Sequence, residues 1–227
     1  MSPLRRLFGG ELPQLVMFDL DGTLVDAVPD LTAAVDRMLA QLGRQPAGSE
    51  QVRLWIGNGA RVLVRRALAG ALEHDHIGED EAQQALALFM NAYADSHALT
   101  TVYPGVHECL QALQAAGIPL ALITNKPAAF LPALLGDKGL ADYFQWILGG
   151  DSLPKQKPEP DQLLWVLDQA QVQPENSLFI GDSRNDVLAA RNAGVPCVAL
   201  SYGYNHGQPI ADENPQWVID DLRELIG

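Results

Sequence analysis

The sequence predicts an α/β fold, in which a Rossmann-like parallel sheet carries an all-helical domain inserted after its first strand. Two patterns support this prediction. In residues 1–26 and 100–227, short apolar runs alternate with helical segments of about ten residues, which is typical of a parallel sheet covered on both faces. Residues 27–99 show only the helical spacing of apolar side chains. We therefore expect an α/β core formed by 1–26 and 100–227 and a helical domain formed by 27–99.

The first strand is expected at 15–18, where the apolar run Leu-Val-Met-Phe precedes a turn that Gly22 permits. The segments that follow place apolar side chains on one helical face and are separated by glycine or by the polar connector 73–80. They predict four helices, at 29–42, 49–56, 60–71 and 81–99.

After residue 100, apolar runs of four to six residues alternate with helical segments. These runs predict strands at 118–123, 144–148, 177–180 and 195–200. The segments between and after them predict helices at 106–116, 127–135, 161–170, 185–193 and 220–226. Pro132 is an awkward residue within one of these helices, because proline lacks the backbone N–H that a helix interior uses.

Composition limits the kind of partner that this protein binds. Lys and Arg number 15 against 28 Asp and Glu, so the net charge of -13 disfavours nucleic acid and anionic membranes. The two cysteines, Cys109 and Cys197, form no CxxC pair, and we expect buried free thiols in a reducing compartment. No apolar run approaches the ~18 residues of a membrane span, and the N-terminal residues lack the apolar segment of a secretory signal. We expect a cytoplasmic monomer or homodimer.

The residues that follow the predicted strands are unusually rich in charge. They are Asp19 and Asp21, then Thr124, Asn125 and Lys126, then Lys155 and Lys157, and finally Asp182 and Asp186. Ligands of open parallel sheets bind beyond the carboxyl ends of the strands, so we expect these side chains at one rim. Lys155 is better explained as a surface residue. Lys126 either contributes charge at the rim or is simply solvated.

This combination of residues suits phosphoryl transfer. Carboxylates forced together repel each other unless a cation joins them, and oxygen ligands without His or Cys favour Mg²⁺. Mg²⁺ with a lysine neutralises a phosphoryl group, and a carboxylate can itself be the nucleophile. In the pair Asp19 and Asp21, one carboxylate could attack while the other exchanges protons with the leaving oxygen.

Four motifs in this order resemble those of the haloacid dehalogenase superfamily. The first is 19–26, Asp-Leu-Asp-Gly-Thr-Leu-Val-Asp, and the second is Thr124. The third is Lys157 before Pro-Glu-Pro, and the fourth is 181–186, Gly-Asp-Ser-Arg-Asn-Asp. The match spans nearly the whole chain. It implies a haloacid dehalogenase-like core, and it makes 27–99 the cap domain that this family carries between its first two motifs.

The resemblance also implies roles for individual residues. Asp19 would be the nucleophile and Asp21 the general acid and base. Thr124 and Lys157 would hold the transferring phosphoryl group, with Asn125 beside Thr124. The expected product of the first step is an aspartyl-phosphate, which water then hydrolyses.

The same resemblance implies a Mg²⁺ site. Asp19 and Asp182 would bind the ion through their carboxylates, and Asp21 through its backbone carbonyl. Asp186 would bind it through water or orient the other groups.

Four segments resemble the bacterial phosphoglycolate phosphatases, which hydrolyse 2-phosphoglycolate to glycolate and phosphate. These segments are 55–60, 123–127, 181–186 and 202–205. The resemblance implies a small phosphate ester as substrate. Three other functions stay open: a phosphatase of the same fold for another ester such as a sugar phosphate, a phosphomutase, and a catalytically inactive binding module.

The segment Gly57-Asn58-Gly59 is the candidate substrate-binding loop of the cap. Glycines at these positions would let the N–H groups at the start of the next helix approach a small anion. Arg53 and Arg61 flank the loop and would add positive charge. The alternative is that the two glycines only end one helix and begin another.

Overall fold

A computed structural model describes residues 3–94 and 97–226. Within this part of the chain the strands are β1 (Leu15–Phe18), β2 (Val25–Asp26), β3 (Thr101–Val102), β4 (Leu120–Ile123), β5 (Trp146–Leu148), β6 (Ser177–Gly181), β7 (Cys197–Leu200) and β8 (Trp217–Ile219). Six of them form a parallel sheet in the order β5-β4-β1-β6-β7-β8. This architecture confirms the predicted α/β fold class.

The central strand β1 is buried on both faces of the sheet. Val16 and Phe18 pack in one apolar cluster, and Leu15 and Met17 pack in another on the opposite face. Because successive side chains of a strand point to opposite faces, an unbroken apolar run is what a strand covered on both sides requires.

Helices cover the sheet and form the insert. They are α1 (Pro3–Leu7), α2 (Val28–Gln41), α3 (Gly48–Trp55), α4 (Ala60–Ala69), α5 (Glu79–Tyr93), α6 (Val106–Ala115), α7 (Leu131–Asp137), α8 (Asp161–Ala170), α9 (Arg184–Ala193) and α10 (Arg223–Ile226). Four consecutive helices, α2 to α5, pack against one another between β2 and β3. These two strands pair antiparallel, Val25 with Val102 and Asp26 with Thr101, so the chain enters and leaves the helical block at one place.

Several predicted boundaries were wrong. The helix predicted at 81–99 is α5, which begins at Glu79 and ends at Tyr93; residues 95 and 96 lie outside the described residues. The helix predicted at 127–135 begins with a 3-10 turn, Ala128–Phe130, and continues as α7. Pro132 lies in the first turn of α7, where its missing N–H has no helical partner to lose.

Among the α-helices and strands of the described residues, the sequence did not predict α1, β2, β3 and β8. Strands of two or three residues are too short to show an alternation of apolar and polar side chains. In the described part of the chain, none of the helices combines the length and the apolar content that crossing a bilayer requires.

Candidate active site

Four neighbouring parallel strands, in the order β5, β4, β1 and β6, end at the same edge of the sheet. Asp19 follows β1, Thr124 follows β4, and Asp182 follows β6. Lys157 reaches the same place from the long connection after β5, and its ammonium contacts Asp19. The side chains that the sequence indicates are therefore gathered at this edge, and all four residues are buried.

Lys157 joins two carboxylates. Its Nζ lies 2.8 Å from Asp19 Oδ1 and 2.6 Å from Asp186 Oδ1. Burial acts to lower the pKa of Lys157, but the Asp186 and Asp19 carboxylates outweigh it and raise that pKa. The lysine therefore stays positively charged between the two carboxylates.

Asp186, in the first turn of α9, is held by the two residues that precede this helix. Its Oδ2 accepts hydrogen bonds from the backbone N–H of Asp182 at 3.1 Å and from Ser183, through the N–H at 2.9 Å and the hydroxyl at 2.7 Å. A carboxylate at this third helical position that reaches back to the N-terminal residue is half of a capping box. With its other oxygen on Lys157, Asp186 has both oxygens engaged and fixes Asp182 and Lys157 relative to each other.

Asp182 is positioned by residues that the sequence analysis did not assign to the site. The Thr23 hydroxyl donates to Asp182 Oδ1 at 2.7 Å, and the Tyr204 N–H donates to Oδ2 at 2.6 Å. Gly22 and Gly203 let the backbone come close, since an added Cβ at either would lie 2.2 Å from an Asp182 side-chain atom. The resemblance of 202–205 to the bacterial enzymes was the one sequence signal that pointed to Tyr204.

Three carboxylates form a set that fits a divalent cation. Asp19, Asp182 and Asp186 each offer one oxygen, and these oxygens lie within 4.8 Å of one another. Burial raises the pKa of Asp19 to about 7, with Lys157 opposing the shift and Asp186 adding to it. Burial, followed by the charges of Asp186 and Asp19, also raises the pKa of Asp182. Several carboxylate oxygens close together carry excess negative charge, and a divalent metal ion bound between them stabilises that charge.

Asp21 and Lys126 form a second ion pair beside the first. Lys126 Nζ lies 2.8 Å from Asp21 Oδ2 and 3.0 Å from Oδ1. The Lys126 side chain is only 2% exposed, so the solvated role left open for it is wrong. Burial favours the neutral amine, but Asp21 and Tyr93 raise the Lys126 pKa above its ordinary value.

A cavity of about 40 Å³ lies between these charged groups and the helical block. Asp19, Asp21 and Thr124 line it on the side of the sheet, and Ile56 and Phe89 belong to its apolar wall on the side of the helices. A cavity with one polar and one apolar wall suits a small ligand whose reacting group is charged.

The loop 57–59 is fastened to the sheet side of the site. Gly57 O accepts hydrogen bonds from Asn125 Nδ2 at 3.0 Å and from Asn185 Nδ2 at 3.1 Å. Asn58 Nδ2 donates to Asn185 Oδ1 at 3.3 Å. Gly57 and Gly59 line the cavity, and at Gly59 (φ 83°) an added Cβ would lie 3.1 Å from Asn125 O. The loop therefore joins the helical block to the core in addition to bordering the cavity.

The arginines beside this loop have partners of their own. Arg53 lies 3.6 Å from Asp26 Oδ2, and Arg61 pairs with Glu79. The Arg61 side chain is 62% exposed. Neither guanidinium lines the cavity, and among the described residues Lys126 is the cation that does. Lys157 lies next to it, on the Asp19 carboxylate.

Comparisons with known proteins agree with this geometry. A family model described as haloacid dehalogenase-like hydrolase matches residues 16–200. Phosphoglycolate phosphatase 1 of Pseudomonas aeruginosa is 66% identical over 226 residues, which cover 100% of this chain and 83% of that protein. The phosphoglycolate phosphatase of Pseudomonas putida is 61% identical with the same coverage.

Solved structures show the same architecture. The crystal structure of a predicted phosphoglycolate phosphatase from Haemophilus somnus superposes with a TM-score of 0.88 at 38% identity, covering 94% of this chain and 96% of that one. CbbY from Rhodobacter sphaeroides, in complex with phosphate, has a TM-score of 0.79 at 23% identity, covers 95% of this chain and 100% of that one, and shows the shared fold. With the strand-end carboxylates and lysine in place, the chain belongs to the haloacid dehalogenase-like hydrolases.

Proposed function

We propose that this protein is a Mg²⁺-dependent phosphatase that hydrolyses 2-phosphoglycolate to glycolate and phosphate. The observation that carries the proposal is the buried cluster of Asp19, Lys157, Asp182 and Asp186 beside a small cavity. The choice of substrate is supported by relatives named phosphoglycolate phosphatase that align with the full length of the chain.

The first step is attack by Asp19 on phosphorus. A bond forms between an Asp19 carboxylate oxygen and phosphorus, and the bond from phosphorus to the bridging oxygen of the ester breaks. Asp21 protonates that oxygen, and glycolate leaves. Thr124 and Lys157 hold the phosphoryl oxygens while the charge moves. The proximity of Lys157 Nζ to Asp19 Oδ1, 2.8 Å, supports these roles.

The second step is hydrolysis of the aspartyl-phosphate. Asp21 accepts a proton from a water molecule, which attacks phosphorus and releases phosphate, so that the Asp19 carboxylate is restored. The ion pair of Asp21 with Lys126 keeps the Asp21 side chain close to the reacting group in both steps.

The metal is proposed to be Mg²⁺ because all candidate ligands are oxygens. Asp19 and Asp182 would bind it through their carboxylates, and Asp21 through its backbone carbonyl. When bound, Mg²⁺ would supply positive charge that neutralises the phosphoryl group. Asp186 is assigned the orienting role, because one of its oxygens accepts three hydrogen bonds and the other binds Lys157.

Residues 27–99 are proposed to act as a cap domain over a core made of 1–26 and 100–227. The pairing of β2 with β3 supports a boundary at this point, since both connections pass through it. Gly57, Asn58 and Gly59 would close the site over a small substrate, with Asn125 anchoring the loop through Gly57 O. Two buried free cysteines support a reducing, cytoplasmic location.

Phosphate release from 2-phosphoglycolate and a panel of small phosphate esters, with Mg²⁺ and with EDTA, tests the proposal. The expected result is a strong preference for 2-phosphoglycolate that EDTA abolishes. Mg²⁺-dependent release that favours a sugar phosphate would refute the substrate and keep the chemistry. Absence of release from every ester would refute the enzyme. An Asp19→Asn variant with full turnover would refute the covalent mechanism.

A further inference from the structure

Tyr93 places a hydroxyl group on the wall of the cavity. It is the last residue of α5, and it is 1% exposed. None of the described residues makes a hydrogen bond of normal geometry with its hydroxyl, although Lys126 lies close enough to interact with it. The Lys126 ammonium instead lies over the ring face, 4.8 Å from the ring centroid. Buried polar groups in proteins are nearly always hydrogen-bonded, so a hydroxyl left without a partner in a ligand cavity indicates a ligand that supplies one.

Lys126 also has a hydrogen-bond donor that its carboxylate partner does not use. Its ammonium carries three donors, and within the described part of the chain its hydrogen bonds of normal geometry go to the two oxygens of Asp21, with Tyr93 close by. Both Lys126 and Tyr93 line the cavity together with Asp19 and Asp21. A cation and a hydroxyl therefore face the space that lies next to the reacting carboxylates.

The chemistry of the proposed substrate indicates which group belongs there. In 2-phosphoglycolate the carboxylate carbon is only two covalent bonds from the leaving oxygen. If Asp21 protonates that oxygen, the substrate's carboxylate must therefore lie close to Asp21. Two carboxylates at short distance repel each other unless a positive charge lies between them. Lys126 Nζ, within 3.0 Å of both Asp21 oxygens, supplies that charge.

We infer that Lys126 and Tyr93 form the subsite for the substrate's carboxylate. The Lys126 ammonium makes an ion pair with the substrate carboxylate while keeping its contact with Asp21, and the Tyr93 hydroxyl donates a hydrogen bond to the same carboxylate. This inference rests on the proposed function. It also gives the helical block a direct part in substrate choice, because Tyr93 belongs to α5 while Lys126 belongs to the loop after β4.

The subsite explains why the loop 57–59 needs no charged side chain. Arg53 and Arg61 pair with carboxylates outside the cavity, whereas Lys126 is already inside it. An anion held by Lys126 would lie against the apolar wall formed in part by Leu31 and Phe89. The side chains of Leu31 and Phe89 offer no hydrogen-bond partner to the hydroxyl groups of a longer sugar chain.

The test compares 2-phosphoglycolate with ethyl phosphate, which has the same two-carbon length and no carboxylate. The measured quantity is the ratio of their kcat/KM values, in wild type, Tyr93→Phe and Lys126→Met. A hydrogen bond or ion pair to a charged group corresponds to about 10- to 100-fold in binding. We expect the ratio to fall about 10-fold in Tyr93→Phe and about 100-fold in Lys126→Met.

The ratio separates recognition of the carboxylate from positioning of Asp21, because loss of Asp21 positioning slows both substrates alike. Tyr143→Phe is the matched control, since Tyr143 does not line the cavity, and it should keep the wild-type ratio. An unchanged ratio in both Tyr93→Phe and Lys126→Met, with a wild type that prefers 2-phosphoglycolate, overturns this inference alone. A wild type without that preference overturns the proposed substrate and the subsite together.

Discussion

Replacing Gly203 with alanine tests how closely the backbone must approach the carboxylate of Asp182. A Cβ at this position would lie 2.2 Å from Asp182 Cβ and 2.3 Å from Oδ2. Asp182 has little freedom to move away, since Thr23 and the Tyr204 N–H hold its two oxygens. The φ angle of Gly203 is not in the left-handed region, so the effect comes from the clash and not from backbone strain.

The size of the effect follows from that distance. Relief of the clash requires the 2.2 Å contact to open to at least 3.0 Å, a shift of about 0.8 Å. Overpacking of this kind costs about 1–3 kcal/mol, which lowers the Tm by roughly 2–12 °C in a chain of this size. Displacement of a reacting group by about 1 Å costs on the order of 100-fold in rate. We therefore expect kcat/KM for 2-phosphoglycolate to fall about 100-fold, with a higher Mg²⁺ requirement.

The assay is phosphate release across a series of Mg²⁺ concentrations, paired with thermal unfolding. Gly136→Ala is the matched control, because Gly136 lies within α7 and an added Cβ there meets no atom within 4 Å. Alanine at that helical position is expected to raise stability by about 0.5–1 kcal/mol without affecting turnover. Wild-type turnover and Mg²⁺ dependence in Gly203→Ala would refute the claim that this approach fixes Asp182.

Three further predictions follow from buried groups. Thr23→Val removes the hydroxyl that donates to Asp182 and should raise the Mg²⁺ concentration for half-maximal activity about 10-fold, whereas Thr23→Ser should not. Identical Mg²⁺ dependence of activity in the two variants would contradict this. Lys157→Met leaves two buried carboxylates without their cation and should lower the free energy of unfolding in urea by about 3–5 kcal/mol; an unchanged midpoint would contradict this. Burial raises the pKa of Cys109 to about 12 and also raises the pKa of Cys197. At about pH 8.5 a thiol reagent should therefore label neither residue until the protein is unfolded. Rapid labelling of the native protein would refute their burial.

The strand ends of the site were predictable because one physical rule connects sequence to place. Parallel strands bury continuous apolar runs, and the residues after these runs meet at one edge of the sheet. Asp19 and Asp182 lie on neighbouring strand ends for this reason, since β1 pairs with β6. Lys157 follows β5 at a greater distance along the chain. The strand-end rule placed both Lys155 and Lys157 at the rim, and the resemblance to a known motif singled out Lys157.

The residues that hold these groups in place were not predictable in this way. Thr23 and Asp182 are 159 residues apart in sequence, and no local pattern connects a hydroxyl to a carboxylate at such a separation. Lys126 was open to a surface role because a lysine after a strand is usually solvated. It is buried because α5 packs over it and contributes Tyr93, a contact between the helical block and the core that depends on the folded arrangement of both.

The central claim is that the Asp19 carboxylate attacks phosphorus. Rapid acid quenching of the enzyme during turnover of 2-phosphoglycolate with Mg²⁺, followed by proteolysis and mass spectrometry, measures this most directly. Attack by Asp19 predicts a peptide that contains Asp19 and carries one added phosphoryl group. This phosphorylated peptide should be absent in Asp19→Asn and in the presence of EDTA. Turnover at the wild-type rate without any phosphorylated peptide, or a phosphoryl group on another residue, would contradict it.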